Sequence, residues 1–164
     1  MGFQTAINRN PPIAVEGDFA SAGVYHSVLA GSQQLVAAAG GLIIGRFAWA
    51  DPTTGLTGNV KADAGATPVL GFARRGENTA MITTYLQEAS MTVPKGFGVT
   101  IYDRGDFWAK TTTAATVGQA VFANDTTGAI STGAAGGTVA GSTETNFIVA
   151  SAGAVGDLIK ITAQ

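Results

Sequence analysis

The chain contains one histidine, His26, and no cysteine. Imidazole and thiol chemistry therefore have a single candidate side chain between them. A Ser-His-Asp triad would have to be built on His26 with a distant Ser and Asp, and no Gly-x-Ser-x-Gly elbow accompanies it. Beside Tyr25 in a glycine-flanked stretch, His26 reads as a contact or solvated residue rather than a base. The acids Asp51, Glu77, Glu88, Asp103, Asp106 and Asp125 each stand beside turn-forming residues, where a solvated carboxylate is ordinary. None of them follows the Asp-x-Asp-x-Asp-Gly spacing of a calcium loop. Without cysteine, zinc knuckles and iron–sulfur sites are excluded together. No phosphate-binding loop, dinucleotide fingerprint or kinase signature is present. The expectation is a protein without catalytic, metal or cofactor sites.

Two short motifs have a structural reading and a functional one. Arg104-Gly105-Asp106 spells an integrin-recognition tripeptide, and Asp103 to Asp106 lies between two β-type runs, which predicts an exposed hairpin tip. Asn124-Asp125-Thr126 is a glycosylation sequon by letter. The N-terminus lacks a basic region followed by an apolar core, so no secretory leader is expected to bring that sequon to a glycosylating enzyme.

The elements that must carry these residues are short. Residues 1–41 read as an extended arm: Asn10-Pro11-Pro12 forces extended backbone, and Gly17, Gly23, Gly31, Gly40 and Gly41 interrupt every periodic pattern. Within it, residues 33–39 suit a short helix or a strand ending at the Gly40-Gly41 turn. Phe3, Phe19 and Tyr25 lie in this arm, away from any core of its own, and are expected to anchor it to the body or to a neighbour. From Leu42 the punctuation changes to β-type runs: 42–44, 47–49, 69–72, 81–85, 98–102, 107–109, 120–122, 147–149 and 158–162, rich in β-branched and aromatic residues. Many short strands separated by turns predict an all-β sandwich or barrel over residues 42–164, forming one domain with the arm. The aromatics Phe47, Trp49, Phe72, Tyr102, Phe107, Trp108, Phe122 and Phe147 fall mostly within the runs and are expected to fill the core. Two turns, Asp51 to Gly55 and Asn124 to Gly128, place Asp early and Gly late, which is hairpin chemistry. Residues 133–145 read as a flexible low-complexity loop.

Composition narrows the partners. Of 164 residues only 12% are charged and 23 are glycine, against roughly 25% charged in ordinary soluble domains. A neutral, small-residue exterior fits surface that ends against protein neighbours. The net charge is −2, and no Lys/Arg-rich run exists beyond the pair Arg74-Arg75, which argues against nucleic acid because phosphate neutralisation needs a basic field. No run reaches the ~18 apolar residues of a membrane helix.

At 16–22 (Glu-Gly-Asp-Phe-Ala-Ser-Ala), 29–31, 35–37 and 45–51 (Gly-Arg-Phe-Ala-Trp-Ala-Asp), and more loosely at 117–123 and 155–161, the sequence resembles the structural cement proteins of tailed bacteriophages. Where that family often carries Asn-Pro-Arg after the Phe-Ala-Ser-Ala stretch, this chain has Gly23-Val24-Tyr25-His26, one cation fewer. The resemblance implies a jelly-roll-like β-sandwich with an extended N-terminal arm. It would be made in the host cytoplasm and sit on the capsid exterior, bridging neighbouring major capsid proteins as a dimer or trimer. No family active site exists to transfer. The residues expected at the capsid or inter-subunit contact are Phe3, Arg9, Pro11, Pro12, Phe19, Tyr25, His26, Arg74 and Arg75. The competing reading is a glycan- or receptor-binding module of a tail or head fibre, which needs an exposed Trp49 or Trp108. A wall-degrading hydrolase, which needs convergent acids, comes third.

Overall fold

The computed structural model describes residues 13–30, 34–76 and 90–164, and these are nearly all β. The strands are β1 (His26–Ser27), β2 (Val36–Ala37), β3 (Leu42–Ile43), β4 (Phe47–Ala50), β5 (Leu56–Gly58), β6 (Val69–Ala73), β7 (Thr92–Val93), β8 (Ile101–Lys110), β9 (Ala120–Asn124), β10 (Ile130–Gly133), β11 (Ser142–Val149) and β12 (Leu158–Ala163), with one 3-10 turn at Lys61–Ala64. The run expected at 81–85 lies outside the described residues. Of the two options for residues 33–39 the strand is realised, as β2. It closes on a turn in which Gly41, at φ 74°, donates its N–H to Ala38 O at 2.9 Å.

One large sheet runs β10-β9-β11-β12-β8-β6-β4-β5-β2, with β1 beside β8 and a separate β3–β7 pair. Side-chain alternation decides which face of each strand is buried. In β12, Ile159, Ile161 and Ala163 point inward while Lys160 is exposed, the period of two that a one-sided strand requires. β4 is buried on both faces, Phe47 and Trp49 in one core and Ala48 and Ala50 in the other. The first core joins β4, β6 and β8 to β9 through β12. Phe47 of β4 meets Phe147 of β11 with ring centroids 5.5 Å apart, although the two strands are far from adjacent in the sheet. The sheet therefore folds over its own aromatic centre, an arrangement compatible with a β-sandwich. Phe72 packs tilted at 4.8 Å against Phe107 and edge-on at 5.5 Å against Phe47, and such ring pairs add about 0.5–1.5 kcal/mol each beyond their buried area. The second core gathers Val28, Ala30, Leu35 and Ala37 with Leu42, Ile44, Val93, Val99 and Ile101.

Two expectations are corrected. Arg104-Gly105-Asp106 does not form a hairpin tip: it lies inside the ten-residue strand β8. Gly105 there takes φ 129°, and a Cβ on it would come within 3.1 Å of the Phe107 ring and of Tyr25 Cβ. Glycine thus stands where the strand changes partners, from β6 at Ile101 and Tyr102 to β12 from Gly105 onward. Asp and Gly favour turns only when the chain is free to reverse, and here both flanks are locked in ladders. Nor is 133–145 wholly a loop. β11 begins at Ser142 and pairs with β9, and Thr145 Oγ1 donates to Val121 O at 2.8 Å.

Candidate functional site

A cluster of partly exposed aromatic and charged side chains lies along β8, between Tyr102 and Trp108. Residues 17–20 run antiparallel to 106–108: Gly17 N–H donates to Trp108 O (2.8 Å), Trp108 N–H to Asp18 O (2.9 Å) and Ala20 N–H to Asp106 O (2.8 Å), around the bridge Phe19–Phe107. Gly17 is required here, since at φ 88° a Cβ would meet Ile44 Cγ2 at 2.9 Å and Arg75 N at 3.1 Å. β1 then returns to β8, pairing His26 with Arg104 and Ser27 with Tyr102.

This lacing stacks an aromatic group on the body. Phe19 is 4.9 Å from Tyr25, 5.3 Å from Phe107 and 6.0 Å from Tyr102, and Tyr25 is 5.8 Å from Tyr102. Phe107 and Tyr102 are core residues, whereas Tyr25 is 57% exposed. The guanidinium carbon of Arg74 lies 4.2 Å over the Phe19 ring. Arg75 pairs with Asp18 at 3.3 Å, and its N–H donates to Gly17 O at 2.9 Å. His26 Nδ1 and Asp103 Oδ1 are 2.7 Å apart on the exposed side, and Ser21 Oγ donates to Asp106 Oδ2.

Of the residues expected at a contact, Phe19, Tyr25, His26, Arg74 and Arg75 thus come together on one face, while Phe3, Arg9, Pro11 and Pro12 lie outside the described residues. The sequence reading missed the platform under them, Tyr102 and Phe107, assigned only to the core, and the exposed aliphatics of the same N-terminal segment. Val24 is 90% exposed, Leu29 86% and Ile13 87%. Their signal was present: Val24 and Leu29 flank a strand too short to bury both of its faces.

Among the described residues the candidate acids do not converge. Asp51 serves its own turn, Asp125 faces Lys61 at 3.6 Å, and Asp103 and Asp106 are engaged as above. Glu77 and Glu88 lie outside the described residues. Among the described residues no group of three His, Cys, Asp or Glu side chains gathers as metal ligands, and no helix is long and apolar enough to cross a membrane. Glu16 is half-buried at a cavity of about 420 Å³ that Arg46 and Lys110 also line, and desolvation raises its pKa against the pull of both cations. Trp49 is 1% exposed. Trp108 is half-buried, with Lys160 Nζ 5.1 Å from its ring centroid.

A family model described as the XM1 gp53 minor capsid protein matches residues 3–163. Among solved structures, a chain from the capsid of Myoviridae phage XM1 superposes with a TM-score of 0.62 at 18% identity, over 99% of this chain and 97% of that one. That likeness shows a shared fold. No curated protein sequence matches the chain. With the family model spanning nearly the whole chain, the chain belongs to the XM1 gp53 minor capsid protein family and is a structural protein of a phage virion.

Proposed function

We propose that this minor capsid protein is a cement subunit: it binds the outer surface of the head, bridges neighbouring major capsid proteins and stabilises the shell. The observation that carries this reading is the exposed apolar group Val24, Tyr25 and Leu29, set on a segment that backbone hydrogen bonds hold against β8. Three large apolar side chains exposed within six residues offer a partner apolar surface to cover. A segment already tied to the body binds with less ordering cost than a free arm. Repetition over a symmetric shell then multiplies modest contacts into strong clamping. Self-association as a dimer or trimer belongs to the same reading, and light scattering on the purified protein tests it. So does a contribution from Phe3, Arg9, Pro11 and Pro12, tested by removing residues 1–12.

A glycan-binding role has less support. Trp49 is in the core, and the Trp108 ring already has Lys160 against it.

The deciding measurement is a near-atomic cryo-electron microscopy map of particles carrying this chain. Density for it between capsid subunits on the exterior, with the 17–29 segment at the contact, is expected. Finding the chain inside the shell or at the tail would reject cementing.

A further inference from the structure

Resting on that reading, the charges of the docking face identify the chemistry of what it meets. Every carboxylate described on this face is already engaged within the molecule: Asp18 by Arg75, Asp103 by His26, Asp106 by the Ser21 hydroxyl. Two guanidiniums are left over. Arg74 lies on the Phe19 ring and has no hydrogen-bond or ion-pair partner among the described residues, its Nε proton being buried without an acceptor. Arg104, paired across the ladder with His26, is exposed and likewise has no counter-ion among the described residues. A guanidinium stacked on an aromatic ring has already lost much of its side-chain freedom, and with Nε buried its two terminal N–H groups are set up to meet a planar, two-oxygen acceptor end-on.

We infer that the occupant of this face is an acidic protein segment, whose Asp or Glu carboxylates meet Arg74 and Arg104 while its apolar side chains cover Val24, Tyr25 and Leu29. Protein is favoured over nucleic acid because the chain's net charge is −2, and the exposed aliphatics Val24 and Leu29 of the same segment would gain nothing from a phosphate backbone.

The test is a binding titration of the full-length protein onto particles assembled without it, at low and high NaCl. Wild type is compared with Arg74→Gln/Arg104→Gln, with Arg104→Gln alone in case loss of the stacked arginine impairs folding, and with Val24→Ser/Leu29→Ser. Thermal melting establishes that each variant is folded. The expected result is a loss of about tenfold or more for the double arginine variant, about threefold or more for Arg104→Gln alone, and a shallower salt dependence for both, because screened charge pairs have been removed. If the arginine variants bind like wild type with the same salt dependence while Val24→Ser/Leu29→Ser loses affinity, the acidic partner is wrong and the docking face stands. If all variants bind like wild type, or wild type does not bind, both readings fall. Displacement of bound protein by added duplex DNA would likewise overturn the inference, by assigning the guanidiniums to phosphate.

Discussion

Two turns of this molecule are built alike and used differently. In the β4–β5 turn, Asp51 N–H donates to Leu56 O (2.9 Å), Gly55 N–H donates to Asp51 O (2.8 Å), and Gly55 sits at φ 72°. In the β9–β10 turn, Asn124 N–H donates to Ala129 O (2.9 Å), Gly128 N–H donates to Asn124 O (2.8 Å), and Gly128 sits at φ 65°. The opening side chain caps both. Asp51 Oδ1 accepts from Thr53 N–H at 2.8 Å, and Asn124 Oδ1 accepts from the N–H groups of Thr126 and Thr127 at 3.1 Å. The capping residue of the second turn is therefore Asn124, where the sequence reading gave that role to the Asp; Asp125, one position on, is free to face Lys61 and Thr143 instead. Both turns expose their two threonines and bury the closing glycine, whose carbonyl accepts a strand N–H: Val36 N–H donates to Gly55 O (3.0 Å) and Phe47 N–H to Gly128 O (2.9 Å). The second turn is braced once more, because Lys61 N–H donates to Asp125 O (2.8 Å). Identical local chemistry does not imply equal weight in the fold.

The sharpest way to break this comparison is at the glycines. A Cβ on Gly128 would collide with Phe47 O and come within 3.1 Å of Asn59 Nδ2, and Asn59 itself ties Ile43 N–H, Ile43 O and Phe47 O together. Gly128→Ala is expected to cost about 3 kcal/mol, combining overpacking with left-handed strain. Gly55→Ala should cost about 1–2 kcal/mol from left-handed strain. Equal losses in denaturant titrations would show that the crowding at Gly128 adds nothing to that strain. Next in size, Asn124→Ala leaves two turn N–H groups without their acceptor and should cost about 1 kcal/mol, as lost caps do. Unchanged unfolding midpoints would refute the capping role.

The smallest effect is a pH dependence confined to one turn. The Thr54 hydroxyl, then the Thr53 N–H, hold the Asp51 carboxyl below its ordinary value of 3.8. A carboxyl with a depressed folded pKa contributes stability that is complete above the unfolded pKa and is lost as pH falls through the folded one. Wild type should therefore exceed Asp51→Asn in stability by a constant margin above about pH 5, with the margin closing below pH 3.8. The Asn124 turn has no capping carboxyl to titrate, so Asn124→Ala should show a margin that is flat across the same range. A margin for Asp51→Asn that persists unchanged in acid would mean that the charge is irrelevant to its turn.

The strands at Phe47, Val69, Phe107, Ala120, Phe147 and Leu158 were legible because β-branched and aromatic runs between glycines leave few other conformations. Both hairpins were legible because Asx caps and positive-φ glycine act within five residues. The contact face was legible only in part. Phe19, Tyr25, His26, Arg74 and Arg75 were named one by one, yet nothing in their spacing places Arg74 on the Phe19 ring or Tyr102 beneath both. The Arg104-Gly105-Asp106 tip was misread for the same reason: its turn-favouring letters lose to a ladder whose partners lie far along the chain.

By itself, then, the sequence determined a cysteine-free, all-β chain with an aromatic core, glycine-capped turns and a sparsely charged surface, since each of these follows from residue type or from bonds within a few positions. Only the tertiary structure decided that β8 would change partners around Gly105, that the Gly128 turn would brace β4, and that residues 17–20 and 26–28 would lie along β8 with two guanidiniums unpaired among the described residues. Those outcomes depend on which distant strands meet, and that is set by burying the Phe47, Phe72, Phe107 and Phe147 rings together, a requirement of the whole chain that no local segment carries.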